Sequence, residues 1–160
     1  MSTLTWHEQL ALGDEKLDGD HRALLEGLAQ LNAQIEAGAP VAQALTLFDA
    51  IIAATSTHFE LEEQWMAASG FARDNCHSTQ HAMVLRVLGE VREHVAQKAE
   101  LTPLRSLIAE LAAWLPAHVD MMDAALVYHL RQVGFDPATG QCSQALPAQA
   151  LTSCGSGACG

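Results

Sequence analysis

The chain has 160 residues, of which 49% are hydrophobic and only 17% charged, enough apolar content to fill the core of one domain. Its 8 Lys and Arg against 19 Asp and Glu give a formal net charge of −11, which repels phosphate backbones and anionic lipid and excludes nucleic acid or a membrane surface as the main partner. No basic, apolar leader opens the sequence and no window approaches the ~20 apolar residues of a bilayer span, so the expected location is the cytoplasm.

In chain order, Met1 to Gly19 reads as an arm carrying Leu4, Trp6, Leu10 and Leu12, which can pack across a bundle. From Asp20, the residues Leu24, Leu25, Leu28, Leu31 and Ile35 recur at helical spacing until Gly38 and Pro40 end the first helix. A second helix runs from Val41 through Leu45, Phe48, Ile52, Thr55, Phe59, Glu62 and Met66 to Ser69-Gly70, with a carboxylate on its inner seam. The third, with Asp74 as N-cap, steps through His77, His81, Val84, Leu88, Val91 and Val95. Thr102-Pro103 reads as N-cap and N1 of a fourth, which turns Leu104, Leu107, Leu111, Leu115, His118, Met122 and Ala125 inward and ends near Arg131.

Strand signals are nearly absent, so the expected fold is all-α, an up-down-up-down four-helix bundle with an N-terminal arm. Past Asp136 there is no charged residue, and the Ala, Gln, Ser, Gly and Pro content predicts a flexible tail. The expected division is a bundle domain over 1–135 and a tail over 136–160. Three of the four cysteines, Cys142, Cys154 and Cys159, fall in that tail, which is no disulfide framework.

The chemistry lies in polar residues on apolar seams, because an ionisable side chain buried without partners costs several kcal/mol. His58 and Glu62 stand four apart, ~40° from each other around a helix, and His77 and His81 repeat that spacing. Two imidazoles at i, i+4 can reach a single metal. His118 and Asp123 are five apart, ~140° around an ideal helix, and share a centre only if the helix is distorted, for which Pro116 offers a cause. His21 heads the stripe of the first helix. Five imidazoles with two carboxylates exceed one coordination sphere and suit iron, manganese or zinc. Among the remaining histidines, His94 falls ~220° around the third helix from His81, and His129 lies ~16 Å along the axis from His118, so both are expected outside any centre.

These segments resemble the hemerythrin family, in particular single-domain bacterial members. The resemblance rests on Leu4-Thr5-Trp6, on Asp18 to Leu24 as D-x-x-H-x-x-L, on His58 to Met66 as H-F-x-x-E-E-x-x-M, on His77 to His81 as H-x-x-x-H, and on His118 to Asp123 as H-[IV]-x-x-x-D. It covers about Leu4 to Phe135. It implies two iron ions, His77, His81 and His118 on one and His21 and His58 on the other, bridged by Glu62, Asp123 and an oxo or hydroxo group. It further implies an open position for O2 walled by Trp114, Leu115 and Val119. With two Fe(II), two carboxylates and one hydroxide the centre carries about +1, a charge a protein interior tolerates.

The function so implied is non-enzymatic: reversible O2 binding for transport, storage or sensing. The alternatives are a di-iron enzyme acting on peroxide, nitric oxide or Fe(II), and an O2- or redox-sensing module for an unidentified protein partner. The absence of Glu-x-x-His pairs weighs against a carboxylate-rich oxidase. Pro116 departs from the family's pattern.

Overall fold

The computed structural model describes residues 4–153. Four long helices form the body, α1 Glu15–Glu36, α2 Val41–Ser69, α3 Cys76–Lys98 and α4 Thr102–His118. The α4 axis continues through a π-helical turn, Val119–Asp123, into α5 Ala124–Gln132. Helices α1 and α3 each pack against both α2 and α4, the square arrangement of an up-down-up-down bundle with short connections. Among the described residues no helix is long and apolar enough to cross a membrane.

The helix boundaries follow from capping. Helix α1 begins earlier than the apolar stripe implies, because the Asp14 carboxylate accepts the Lys16 and Leu17 N–H groups and fixes the first turn. Asn75, not Asp74, caps α3, its Oδ1 accepting from Ser78 N at 3.0 Å. Leu101 rather than Thr102 is the N-cap of α4, which leaves Pro103 in the first turn, where its missing N–H is not needed. Gly70 ends α2 at φ 100°, and a Cβ there would lie 3.0 Å from Pro147, so both its backbone and its surroundings require glycine.

Two apolar clusters fill the bundle ends. One gathers Leu28, Leu31, Phe48, Leu88, Leu104 and Ile108, the other Leu17, Trp65, Met66, Leu126 and Leu130. The arm packs as expected, Trp6, Leu10 and Leu12 lying against a third cluster of Leu25, Leu115 and Val119. It is pinned by Asp18, a buried carboxylate that accepts the N–H groups of Leu12 and Gly13 at 2.8 and 3.1 Å.

The expectation of a flexible tail does not hold over its described part. Phe135–Asp136 (β1) and Gln141–Cys142 (β2) form a small antiparallel hairpin. Leu151 then forms a parallel bridge with Phe71, donating to Gly70 O at 3.0 Å and accepting from Ala72 N at 2.7 Å, while Thr152 O accepts from Cys76 N at 3.0 Å. Composition pointed the other way because the docking uses main-chain groups and scattered side chains such as Leu151, Cys142 and Phe135, which leave no periodic trace. Cys154 and Cys159 lie outside the described residues. A chain ending at Pro137 is expected to lose these bonds and unfold at lower urea while keeping its metal content, since every candidate ligand precedes residue 124. Metal analysis and a urea titration check both halves.

Candidate metal centre

Between the two apolar ends lies a buried polar layer containing His21, His58, Glu62, His77, His81, His118 and Asp123. Each helix contributes in the way its spacing dictates: α1 one imidazole, α2 His58 and Glu62 one turn apart, α3 His77 and His81 one turn apart. The last two come from the end of α4. Pro116 has no N–H to donate to Ala112, and three residues later the repeat lengthens to i→i+5, with Ala124 N donating to Val119 O. In that turn a residue five positions on returns to nearly the same face. His118 and Asp123, awkwardly spaced on an ideal helix, therefore point together, with His118 Nε2 at 3.1 Å from Asp123 Oδ1.

The seven side chains converge through their inner atoms. His21 and His58 approach with their Nε2 atoms 3.2 Å apart, and His77 and His118 do the same at 3.2 Å. Asp123 spans the two groups: Oδ1 lies 3.0 Å from His77 Nε2, and Oδ2 lies 3.3 Å from His21 Nε2. Glu62 Oε2 lies 3.2 Å from His81 Nε2, 3.5 Å from His58 Nε2 and 3.6 Å from His77 Nε2. One atom each from Glu62, His77, His81 and His118 falls within 4.8 Å of all the others.

Hydrogen bonding does not account for this arrangement. Both oxygens of Glu62, both of Asp123 and His81 Nε2 are buried without a hydrogen-bond partner among the described residues. Such orphaned atoms cost about 1–3 kcal/mol each, more for charged groups. A metal removes the conflict, since lone pairs that otherwise repel one another at close range all become ligands of a cation. Two ligands at bonds of ~2.1 Å and a right angle stand ~3 Å apart, close to the spacing of the facing imidazoles. The residues present therefore fit a metal site of N/O donors.

Electrostatics favour the ligating forms of the imidazoles. Burial pushes His58 down to about 4, helped by His21 beside it and only partly opposed by the hydrogen bond to Asp20. Burial likewise lowers His77 and His81. The two carboxyls split: burial, then the Asp123 charge, raises Glu62 well above its ordinary value. Burial also works to raise Asp123, but the imidazoles of His118, His21 and His77 close around it and hold it well below the usual range. The two carboxyls thus differ in how readily they ionise, and a cation in the layer favours the ionised form of both.

Outer partners orient the rings. Asp20 Oδ2 lies 3.1 Å from His58 Nδ1, and Gln80 Oε1 lies 3.1 Å from His118 Nδ1. Glu63 stands 3.5 Å from His81 Nδ1. The Phe59 ring stacks on His81 at 3.8 Å and the Trp114 ring on His118 at 4.4 Å. Asp20, Gln80 and Glu63 were not singled out in the sequence, because each serves a ring on a different helix or, for Glu63, on the helix opposite. A carboxylate or amide behind a ligating imidazole fixes its tautomer and raises its basicity.

The other expected positions divide. Trp114 and Leu115 line a cavity that reaches His21 and His58, whereas Val119 is not among its lining residues and packs with Leu25 and Leu115. His94 is half exposed, 3.5 Å from Glu100, and His129 lies away from the layer with its Nε2 2.8 Å from Ser69 O.

Comparison with known proteins points to a cation-binding family. A family model described as the hemerythrin HHE cation binding domain matches residues 12–130. A bacteriohemerythrin of Ralstonia nicotianae is 37% identical over 136 residues, 85% of this chain and 95% of the relative. Bacteriohemerythrins of Stenotrophomonas maltophilia and Pseudomonas aeruginosa are each 25% identical, over 78% and 82% of this chain and 80% and 84% of theirs. No solved structure matches the chain.

Proposed function

Because the chain belongs to the hemerythrin family, we propose that it binds O2 reversibly, without turnover, at a non-haem centre of two iron ions. The observation that carries this reading is the buried layer in which five imidazoles and two carboxylates face inward without hydrogen-bond partners for their carboxylate oxygens. In the proposal His77, His81 and His118 would hold one iron and His21 and His58 the other, with Glu62 and Asp123 as carboxylate ligands within reach of both. Two Fe(II) ions held there would supply the electrons for reversible O2 binding.

The protein's own part is to hold and shield. Asp123 presents one oxygen to each group of imidazoles, and Glu62 Oε2 stands between His58 and the pair on α3. Asp20 and Gln80 keep His58 and His118 in their ligating tautomers. Trp114 and Leu115 wall the approach to His21 and His58, and Val119 backs Leu115. An apolar wall keeps water and anions from displacing the gas. A shell of five imidazoles and two carboxylates also differs from the carboxylate-rich sets of bundle-type di-iron oxidases, which supports binding over oxidation.

Absorption spectra of the anaerobically reduced protein, taken before and after air, test the reading together with metal analysis. About two irons per chain are expected, as are visible bands that appear in air and disappear on removing O2. A single metal per chain, zinc in protein from iron-replete cells, or steady consumption of O2, peroxide or nitric oxide would overturn it.

A further inference from the structure

The cavity beside the His21 and His58 pair is larger than a diatomic gas needs. It measures about 230 Å³ and runs between α1, α2 and α4. A water's share of liquid is ~30 Å³ and a two-atom gas is of that order, whereas a cavity of ~150 Å³ lined by Leu, Ile and Phe stays dry and takes benzene. Its cause is compositional. Where α1 faces α2, the rim residues Ala23, Ala50 and Ala54 are exposed and too short to close the gap, while Leu24, Leu47 and Ile51 form apolar walls behind them.

One lining side chain has a hydrogen bond to offer. Thr55 is only 7% exposed, and its hydroxyl has no partner among the described residues. On the same helix Thr46 and Thr57 donate to the carbonyls of Ala42 and Ala53, four residues back, at 2.9 and 3.0 Å. Thr55 does not, and threonine has two accessible χ1 wells in a helix, so its hydroxyl is free to turn to a guest. A buried hydroxyl left unpaired is a standing cost that a suitable ligand removes. The mouth also carries Asp20, already held by Lys16 and His58, which disfavours an anion.

We propose that this cavity binds a neutral, ring-sized organic molecule, apolar but for a single hydroxyl, with its body against Leu24, Leu47 and Ile51 and its hydroxyl on Thr55 Oγ1. The cavity is the one that Trp114 and Leu115 wall toward His21 and His58, so a guest there lies across the approach to the metal layer, and its binding does not require that O2 binds.

The test is calorimetric titration of the metal-loaded full chain with phenol, benzene and benzoate, supported by ligand-observed NMR. Phenol should bind saturably and more tightly than benzene, and benzoate should not bind. Thr55→Val should weaken phenol about fivefold, the worth of one neutral hydrogen bond, and leave benzene unchanged. Ala54→Phe, which fills the mouth from an exposed position, should abolish both. No saturable phenol binding, equal phenol affinity in Thr55→Val, binding that survives Ala54→Phe, or benzoate matching phenol would each overturn the proposal. Air-dependent spectra recorded on the same protein before any guest is added report separately on the O2 reading.

Discussion

His58→Ala is expected to lower the metal content to about half or less and the thermal midpoint of the metal-loaded protein by ~10 °C, with a smaller change in the metal-free form. The ring contributes one of only two imidazoles on its side of the layer, 3.2 Å from His21 and 3.5 Å from Glu62. A ligand that binds only the folded state stabilises it by about 2.7 kcal/mol at one hundred times its dissociation constant, and losing 3–4 kcal/mol in a chain of this size moves the midpoint by roughly 10 °C. Glu62→Gln should go further on metal, since one of its oxygens reaches both groups of imidazoles. Its metal-free form should be at least as stable as the parent, because a buried carboxyl without partners has been replaced by an amide. The control is His94→Ala, half exposed on α3 and expected to change stability by less than about 0.5 kcal/mol and metal content not at all. Metal analysis and melting curves with and without chelator decide it. A His94→Ala variant that loses as much metal as His58→Ala would mean that α3 faces the other way.

Much of this site was legible because its pairs sit on single helices. The i, i+4 steps of His58 with Glu62 and of His77 with His81 need only an ideal helix, and the structure brings each pair together. The i, i+5 step of His118 and Asp123 did not fit an ideal helix, and the spacing itself was the clue. Distortion was required, and it takes the form of a π turn shortly after Pro116. What spacing along one helix does not carry is contact between helices. Asp20 behind His58 and Gln80 behind His118 are ordinary surface-type residues in the sequence and acquire their role only when α1 meets α2 and α3 meets α4. The docked tail is of the same kind, since Leu151 finds Phe71 eighty residues away through main-chain hydrogen bonds that any residue can make. Thr55 was read as an inner position of the second helix, and it is buried, but that its hydroxyl lacks a partner depends on the neighbouring carbonyls.

The metal-free protein is expected to lose stability steeply between about pH 6.5 and pH 4, and the metal-loaded protein to resist that loss. An unfolded histidine takes up a proton near pH 6.5. Folded His58 refuses it until about 4, because burial strips water from the imidazolium and His21 opposes a second charge. Within that window the unfolded state binds more protons, so stability rises with pH: the contribution is complete above 6.5 and is lost as the pH falls toward the folded value, about 3 kcal/mol for His58. His77 and His81 are shifted in the same direction by burial and add to the loss. Glu62 acts with the opposite sign. Its folded value is raised, so the folded state holds a proton that the unfolded state releases above about 4.5, and acid relieves that cost. Three imidazoles against one carboxyl leave a net acid sensitivity, and Glu62→Gln, which removes the opposing group, should make it steeper. A bound cation keeps the imidazoles unprotonated, so the loaded protein should hold its midpoint until protons displace the metal. Urea midpoints of metal-free, metal-loaded and Glu62→Gln protein at pH 7.5, 6 and 5 read out all three expectations. A metal-free midpoint that stays level across that range in Glu62→Gln as well as in the parent would mean that the buried imidazoles take up protons as readily as free ones, and that the layer is not built to keep them ready for a metal.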